Sequence, residues 1–442
     1  MTATGVAIPK AEPRPFLLSG LWLAALAPFF FLTYGFANWV TGFRHNVPSL
    51  AFGWEHRIPF LAWTIVPYWS TDFFYAGALL LCRTRIELRT LVKRLIATQL
   101  LCVAGFLVVP LRFSFDRPHT DGLFGRMFDA LMSFDRPFNQ APSLHVALTA
   151  VLWVAYGGHF TGGMLWLIRT WFAAMALSTL TTYQHHFIDV PTGLWVGLFT
   201  ILLFPEKPAK ADRPSRDPLR LRLGAAYLAG ALIFGAGAFV TGGAAWLLLW
   251  PAAALLIVAV IYFAGRPELF RKSEGDMPVP ALLVLAPYLA GVWLNSRWHT
   301  RGQAPAQEIA GGVWLGRIPR RTEREALGIV SIVDVTAELP MNRSGIVYRG
   351  VPMLDLLAPT TDQIDEAARA IAELEHQRPT LVCCALGYSR SAAAVAAWLI
   401  AARKAESAGA AIELIRARRP SIVLPERFRL ELAQWAGMRS MT

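Results

Sequence analysis

A cysteine, a glycine and an arginine recur at every third position in the stretch Cys384-Ala385-Leu386-Gly387-Tyr388-Ser389-Arg390-Ser391. Thr380–Cys383 before it reads as a strand and the Ala-rich run Ala392–Lys404 after it as a helix, so the stretch is a tight strand-to-helix loop. The backbone N–H groups of such a loop, here Ala385, Leu386, Gly387, Tyr388 and Ser389, converge on an anion with a helix N-terminus behind them. Arg390 adds a two-pronged clamp for phosphate oxygens. The same positive field favours the thiolate of Cys384, a nucleophile. Gly387 permits a sharp bend at the loop centre.

A second constellation lies upstream. Ala141-Pro142-Ser143-Leu144-His145 opens an apolar helix, and Ser143 can cap it and donate to an anion held at its N-terminus. Some forty residues on comes Gln184-His185-His186-Phe187-Ile188-Asp189. His185 and Asp189 are four apart, a spacing that puts both on one helix face. A carboxylate bonded to one imidazole nitrogen fixes the tautomer and makes the other a better nucleophile or base. Ionisable groups at a membrane helix end are costly and mark function, whereas a single such histidine is more simply solvated at the interface. Arg112, Arg117 and Arg136 are the candidate phosphate cations, with headgroup-facing loop charge as the alternative.

The elements that must position these residues are of two kinds. Of 442 residues, 55% are hydrophobic and 16% charged, against about 25% charged in soluble domains; the mean hydropathy is +0.42. Segments of spanning length run at Phe16–Val40, Phe60–Leu81, Leu95–Leu111, Ser143–Tyr156, Met164–Thr182 and Ile188–Phe204, then at Leu223–Val240 and Ala244–Ala264. Met277–Asn295 is apolar but interrupted by prolines, and either spans, re-enters or lies flat. Met1–Arg14 carries no cleavage pattern, so no removable signal peptide is expected. Beyond Trp298, short strands at Gly312–Leu315, Ile329–Val335, Ile346–Met353 and Thr380–Cys383 alternate with helices at Glu366–Glu375, Ala392–Lys404 and Gly409–Arg418, the pattern of a soluble α/β domain. The expected architecture is multi-domain: an all-α polytopic membrane bundle over 1–205, a charged linker with two or three further helices over 206–300, and an α/β domain over 301–442.

The net charge of +12 is concentrated beside apolar segments: Arg83, Arg85, Arg89, Lys93 and Arg94 between the second and third, and Lys207, Lys210, Arg213, Arg216, Arg220 and Arg222 after the sixth. That is the distribution of cytoplasmic loops, and it argues against nucleic acid as a partner. It places the N-terminus inside and the loops 112–142 and 182–187 on the far side of a bacterial-type inner membrane. The α/β domain is expected in the cytoplasm, where a thiolate stays reduced. The four cysteines, Cys82, Cys102, Cys383 and Cys384, are too few for a disulfide framework, although the neighbours Cys383 and Cys384 could form a protective vicinal disulfide.

The motif Pro142-Ser143-Leu144-His145 with His185-x-x-x-Asp189 resembles the second and third motifs of the type-2 phosphatidic acid phosphatase superfamily, over roughly residues 60–205. The resemblance implies a six-helix membrane bundle acting on lipid phosphates through a phosphohistidine. By position, His185 would be the nucleophile, Asp189 its orienting partner, His145 the donor to the leaving oxygen and Ser143 a phosphate ligand. Thr179 stands where that family commonly has arginine and Pro110 where it has lysine, with Arg117-Pro118 matching the end of the first motif and Arg112 nearby. The form Ser-Thr…Gln-His-x-x-x-Asp is similar to the inositol phosphorylceramide and sphingomyelin synthase branch, so transfer to an alcohol and hydrolysis both remain open.

The Cys384…Arg390 stretch resembles the Cys-x5-Arg signature of protein tyrosine and dual-specificity phosphatases, over about 305–440. The resemblance implies Cys384 as nucleophile, Arg390 as phosphate clamp and Ser391 as an aid to thiolate departure. It also implies an upstream aspartate as proton donor: Asp355, in a loop after a strand end, fits better than Asp334 inside a buried strand. Cys383 occupies the usual histidine position. Neither mechanism requires a metal or cofactor. The chain thus reads as a bifunctional membrane phosphatase or headgroup transferase acting on a phospholipid or sphingolipid-type substrate, with a phosphoprotein as a second substrate class for the cysteine site. The alternative is a membrane-anchored sensor of phospho-ligands with only the cysteine domain active. Gly193-x-x-x-Gly197 permits close helix packing, and the oligomeric state is left open.

Overall fold

The computed structural model describes residues 13–206, 214–377 and 379–440; Lys207, Lys210 and Arg213 of the basic linker lie outside the described residues. The chain divides into two compact units, 1–207 and 208–442. Five helices among the described residues are long and apolar enough to cross a membrane: Phe16–Gly42, Arg85–Val108, Gly162–Thr181, Leu219–Thr241 and Gly243–Ala264.

The first unit is helical: α1 (Phe16–Gly42), α2 (Ile65–Leu81), α3 (Arg85–Val108), α4 (Gly122–Met132), α5 (Leu144–Gly157), α6 (Gly162–Thr181) and α7 (Asp189–Leu203). The short α5 is its axis, packing against α2, α3, α6 and α7. Ser143 caps it as the sequence predicts, its Oγ accepting from the Val146 N–H at 3.4 Å. The small-residue stripe is used within the chain. A Cβ at Gly193 would stand 2.3 Å from the Ser143 carbonyl, and one at Gly197 2.5 Å from that of Ala147, so α7 lies directly against α5. Two expectations are corrected here. The third apolar segment begins ten residues earlier, because Thr84 caps α3 through the Glu87 N–H and draws Arg85, Arg89, Lys93 and Arg94 into the helix. The segment 112–142 is not all loop, since α4 folds within it.

The second unit starts with a helix hairpin, α8 (Leu219–Thr241) and α9 (Leu249–Ala264), closed at its base by a 2.9 Å hydrogen bond from the Ser215 N–H to the Gly265 carbonyl. The proline-bearing segment after it breaks at Leu285 into α10 (Val279–Val284) and α11 (Ala286–His299), each too short to cross a bilayer.

The strands that follow are β1 (Ala306–Ala310), β2 (Val313–Arg317), β3 (Ser331–Thr336), β4 (Val347–Met353) and β5 (Thr380–Cys384). The helices are α12 (Arg321–Ala326), α13 (Thr361–Leu374), α14 (Arg390–Ala401), α15 (Ala408–Arg418) and α16 (Glu426–Ser440). The sheet order is β1-β2-β5-β3-β4, antiparallel at β1/β2 and parallel elsewhere. The unanticipated elements, β1, α12 and α16, lie at the domain's margins in sequence or are a turn or two long. The central strands β3 and β5 are buried along their whole length, as parallel strands covered on both faces must be. Alternation along β5 sends Val382 and Cys384 to one core and Leu381 and Cys383 to the other. In α13, Ile364, Ala367, Ala368, Ile371 and Leu374 make the buried stripe, and Thr360 and Gln363 form a reciprocal capping box.

Asp334, within β3, is fully buried and accepts from the Lys272 Nζ at 2.6 Å, the Tyr348 hydroxyl at 3.1 Å and the Thr336 N–H at 2.8 Å. It is a structural anchor between the sheet and the segment after α9. Lys272→Ala leaves this carboxylate without its cation, and denaturant unfolding of the detergent-solubilised chain should show a loss of about 3–5 kcal/mol; no loss would mean the pair is dispensable.

Candidate active sites

Cys384 ends β5 and its Sγ accepts from the Gly387 N–H at 3.2 Å and the Ser391 hydroxyl at 3.3 Å. The loop between is held open by its carbonyls. Those of Cys384, Ala385, Gly387, Tyr388 and Ser389 accept from Ile318 N–H, Ser296 Oγ, Arg419 Nε, Val423 N–H and Ala393 N–H respectively. In a planar trans peptide the N–H points opposite to the C=O. The amides that share peptides with these carbonyls, those of Ala385, Leu386, Tyr388, Ser389 and Arg390, therefore point away from those donors. Gly387 has φ +74°, and a Cβ there would lie 2.4 Å from the Gly316 carbonyl carbon, so glycine is required twice over.

Arg390 opens α14 with 1% of its side chain exposed. Its Nη1 and Nη2 bond Glu338 Oε2 and Oε1 at 2.9 and 2.7 Å, Nη1 also donates to the Met353 carbonyl at 2.9 Å, and Nη2 lies 3.0 Å from Asp355 Oδ1. Burial opposes its charge, yet Asp355 and Glu338 outweigh that and hold its pKa well above the usual guanidinium value. Its Nε is buried and has no hydrogen-bond partner among the described residues. Asp355 is the exposed member, with 30% of its side chain accessible, in the loop after β4.

Sequence reasoning missed Glu338, which is 1% exposed and fixes Arg390. The available signal was a carboxylate two residues past the end of a fully buried strand, β3, the neighbour of the β5 strand that leads into the Cys384 loop. It also missed Arg419, buried and bonded to that loop. The vicinal disulfide is corrected: Cys383 and Cys384 are free and face opposite cores. Burial, reinforced by Asp334, pushes the Cys383 thiol well up.

In the helical unit, His185 lies in the turn before α7 and Asp189 is the first residue of that helix, so they meet across a helix start rather than along a shared face. Asp189 Oδ2 lies 3.1 Å from His185 Nδ1 and accepts the His186 N–H at 3.0 Å. The Ser143 N–H donates to the Asp189 carbonyl at 3.0 Å, bringing both motifs together. His145 Nε2 is 2.7 Å from Thr71 Oγ1, and its ring stacks on Tyr68 at 4.1 Å. His186 is structural: Nδ1 meets the buried Glu55 at 3.1 Å and Nε2 accepts the Ser114 N–H at 3.2 Å. Of the candidate cations, Arg117 bonds the carbonyls of Thr182 and Tyr183 and so braces the turn that carries His185. Arg112 and Arg136 are exposed. Thr179 is buried, and its carbonyl accepts the Gln184 and His185 N–H groups.

Residues 313–438 match the family "Dual specificity phosphatase, catalytic domain". These residues form a dual-specificity phosphatase-type catalytic domain. Solved structures similar to it include a mouse putative dual specificity phosphatase complexed with zinc tungstate (22% identity, 32% of this chain and 92% of that one, TM-score 0.30). Tk-PTP in the active form is similar at 27% identity over 30% and 97% of the two chains, TM-score 0.28. PTPMT1 in complex with PI(5)P is similar at 20% identity over 31% and 97%, TM-score 0.29. No curated protein matches the chain significantly. The family match lies wholly within the second unit.

The phosphatase-type domain thus places the Cys384 thiol at the start of the strand-to-helix loop, bonded by the Gly387 N–H and the Ser391 hydroxyl. Iodoacetate, itself an anion, should alkylate the native chain at Cys384 alone, as peptide mapping reads it, and inorganic phosphate should protect. Modification at Cys383 would contradict the two-faced placement.

Proposed function

We propose that the chain is a membrane-embedded phosphatase whose Cys384 site hydrolyses the phosphomonoester of a lipid. The carrying observation is the buried Arg390 clamp beside a thiol that accepts from the Gly387 N–H and the Ser391 hydroxyl. The Cys384 thiolate attacks phosphorus, the P–O bond breaks, and the leaving oxygen takes the proton of Asp355. Water then attacks the S–P bond, Asp355 takes its proton back, and the thiolate departs against the Ser391 hydroxyl. An entering phosphate exchanges with Asp355 on Arg390 Nη2, freeing that carboxyl for the leaving oxygen.

Lipid is favoured over phosphoprotein because the Tyr262 hydroxyl, two residues from the end of α9, donates to the Asp355 carbonyl at 3.1 Å. The Asp355 loop therefore sits against the base of the apolar hairpin. Both hairpin ends join on the phosphatase side, among Arg216, Arg220, Arg222, Arg266, Arg271 and Lys272, a basic cluster that supports the reading of that side as cytoplasmic. The helical unit adds a second, His-based site, with His185 as nucleophile, Asp189 orienting it, His145 as donor and Ser143 holding phosphate, for hydrolysis or headgroup transfer.

The reading in which only the cysteine site is active is favoured by Thr179 in the arginine position and by Arg112 facing out. With the full chain in vesicles, phosphate release from a lipid phosphomonoester should exceed that from a phosphotyrosyl peptide, vanish in Cys384→Ser and survive in His185→Ala. A preference for the peptide would refute the lipid reading. Lipid profiles unchanged by His185→Ala would leave the cysteine site as the sole activity.

A further inference from the structure

The residues matched to the phosphatase family begin at 313, yet both catalytic loops are fastened by residues before that point. The loop of the candidate acid, Leu354–Pro359, turns at Leu356, a non-glycine residue with φ +62° that is half exposed. Such a conformation is disfavoured for a residue with a side chain and persists only where its surroundings fix it. Two hydrogen bonds flank it. On one side the Tyr262 hydroxyl of α9 donates to the Asp355 carbonyl at 3.1 Å. On the other the Ala358 N–H donates to Asp217 Oδ2 at 3.0 Å. Each anchor is itself fixed. Tyr262 is 1% exposed and packs on Tyr227 of α8 at 5.1 Å. Asp217 Oδ1 accepts the Leu219 N–H at 2.9 Å, and Arg427 Nε stands 3.6 Å from Oδ2.

We propose that Tyr262 and Asp217, at the base of the membrane hairpin, are positioning residues that hold the Asp355 loop in its strained turn, so that proton transfer to the leaving group depends on the hairpin. Neither touches the phosphate; both act through the loop backbone. The proposal rests on the reading of Asp355 as the proton donor. It makes the hairpin part of the catalytic machinery, and residues 300–442 alone would lack it.

The test uses the full chain in detergent micelles and two aryl phosphates, one with a good leaving group (4-nitrophenyl phosphate) and one with a poor one (phenyl phosphate). A misplaced acid slows the poor leaving group more, because only that oxygen needs the proton early. Tyr262→Phe and Asp217→Asn should each lower kcat for phenyl phosphate about ten- to a hundredfold, with a markedly smaller loss for 4-nitrophenyl phosphate and KM little changed. Asp355→Asn supplies the full split for comparison. Equal losses on both esters, or wild-type kcat in both variants while Asp355→Asn shows the split, would overturn the proposal. An Asp355→Asn chain with no split would instead remove Asp355 as the donor, and the proposal with it. Matching unfolding temperatures exclude misfolding; a variant that does not fold is replaced by Leu356→Val, whose β-branched side chain disfavours the left-handed turn and should reproduce the split, its absence counting against the proposal.

Discussion

Arg390 is a cation with almost no water around it, and the arrangement of the phosphatase domain follows from satisfying it. Removing a guanidinium from solvent costs several kcal/mol unless carboxylates and hydrogen bonds compensate. Here Glu338 takes both Nη atoms, the Met353 carbonyl a third bond and Asp355 a contact at 3.0 Å. Those partners sit at the ends of β3 and β4, and the arginine opens α14 directly after the β5 loop. The strand order that places β3 between β5 and β4 is what lets one side chain reach all of them. Glu338 is fixed and buried whereas Asp355 is accessible, so the two carboxylates on one arginine can serve different ends: one to orient it, one to leave it.

The helical unit solves a similar problem with imidazole. Asp189 spends one oxygen on His185 Nδ1 and the His186 N–H, while Glu55 engages the Nδ1 of the adjacent His186. Adjacent histidines thus differ in kind. His186 has both ring nitrogens engaged by protein groups, and His185 is held at one nitrogen only among the contacts of the described residues. Gly193 and Gly197 make this possible by letting α7 approach α5 closely enough for Ser143 and Asp189 to share a backbone hydrogen bond.

Much of this was legible in the sequence, for identifiable reasons. The strand-loop-helix around Cys384 showed because β-branched and small residues bracket a loop whose glycine has one conformational purpose. The apolar helices showed by length, and Ser143 by its capping position. What stayed hidden depends on tertiary placement. Glu338 reads as an ordinary charge until β3 is set beside β5. Cys383 and Cys384 look like a pair until the pleat sends them to opposite faces. Met277–Asn295 resembles a span until its break at Leu285 and the hydrogen bond from Ser296 to Ala385 fold it along the phosphatase domain. The ties from Tyr262 and Asp217 to the Asp355 loop join residues far apart in sequence, with no local pattern to announce them.

The account's central claim is that sulfur receives the phosphoryl group under the Arg390 clamp. Rapid-quench turnover of the full chain, followed by peptide mass spectrometry, tests it most directly. The account predicts a transient phosphoryl adduct on the peptide carrying Cys384, formed within one turnover and absent from Cys384→Ser. Phosphate release undiminished in Cys384→Ser, or an adduct confined to another residue during hydrolysis of the phosphomonoester, would contradict it.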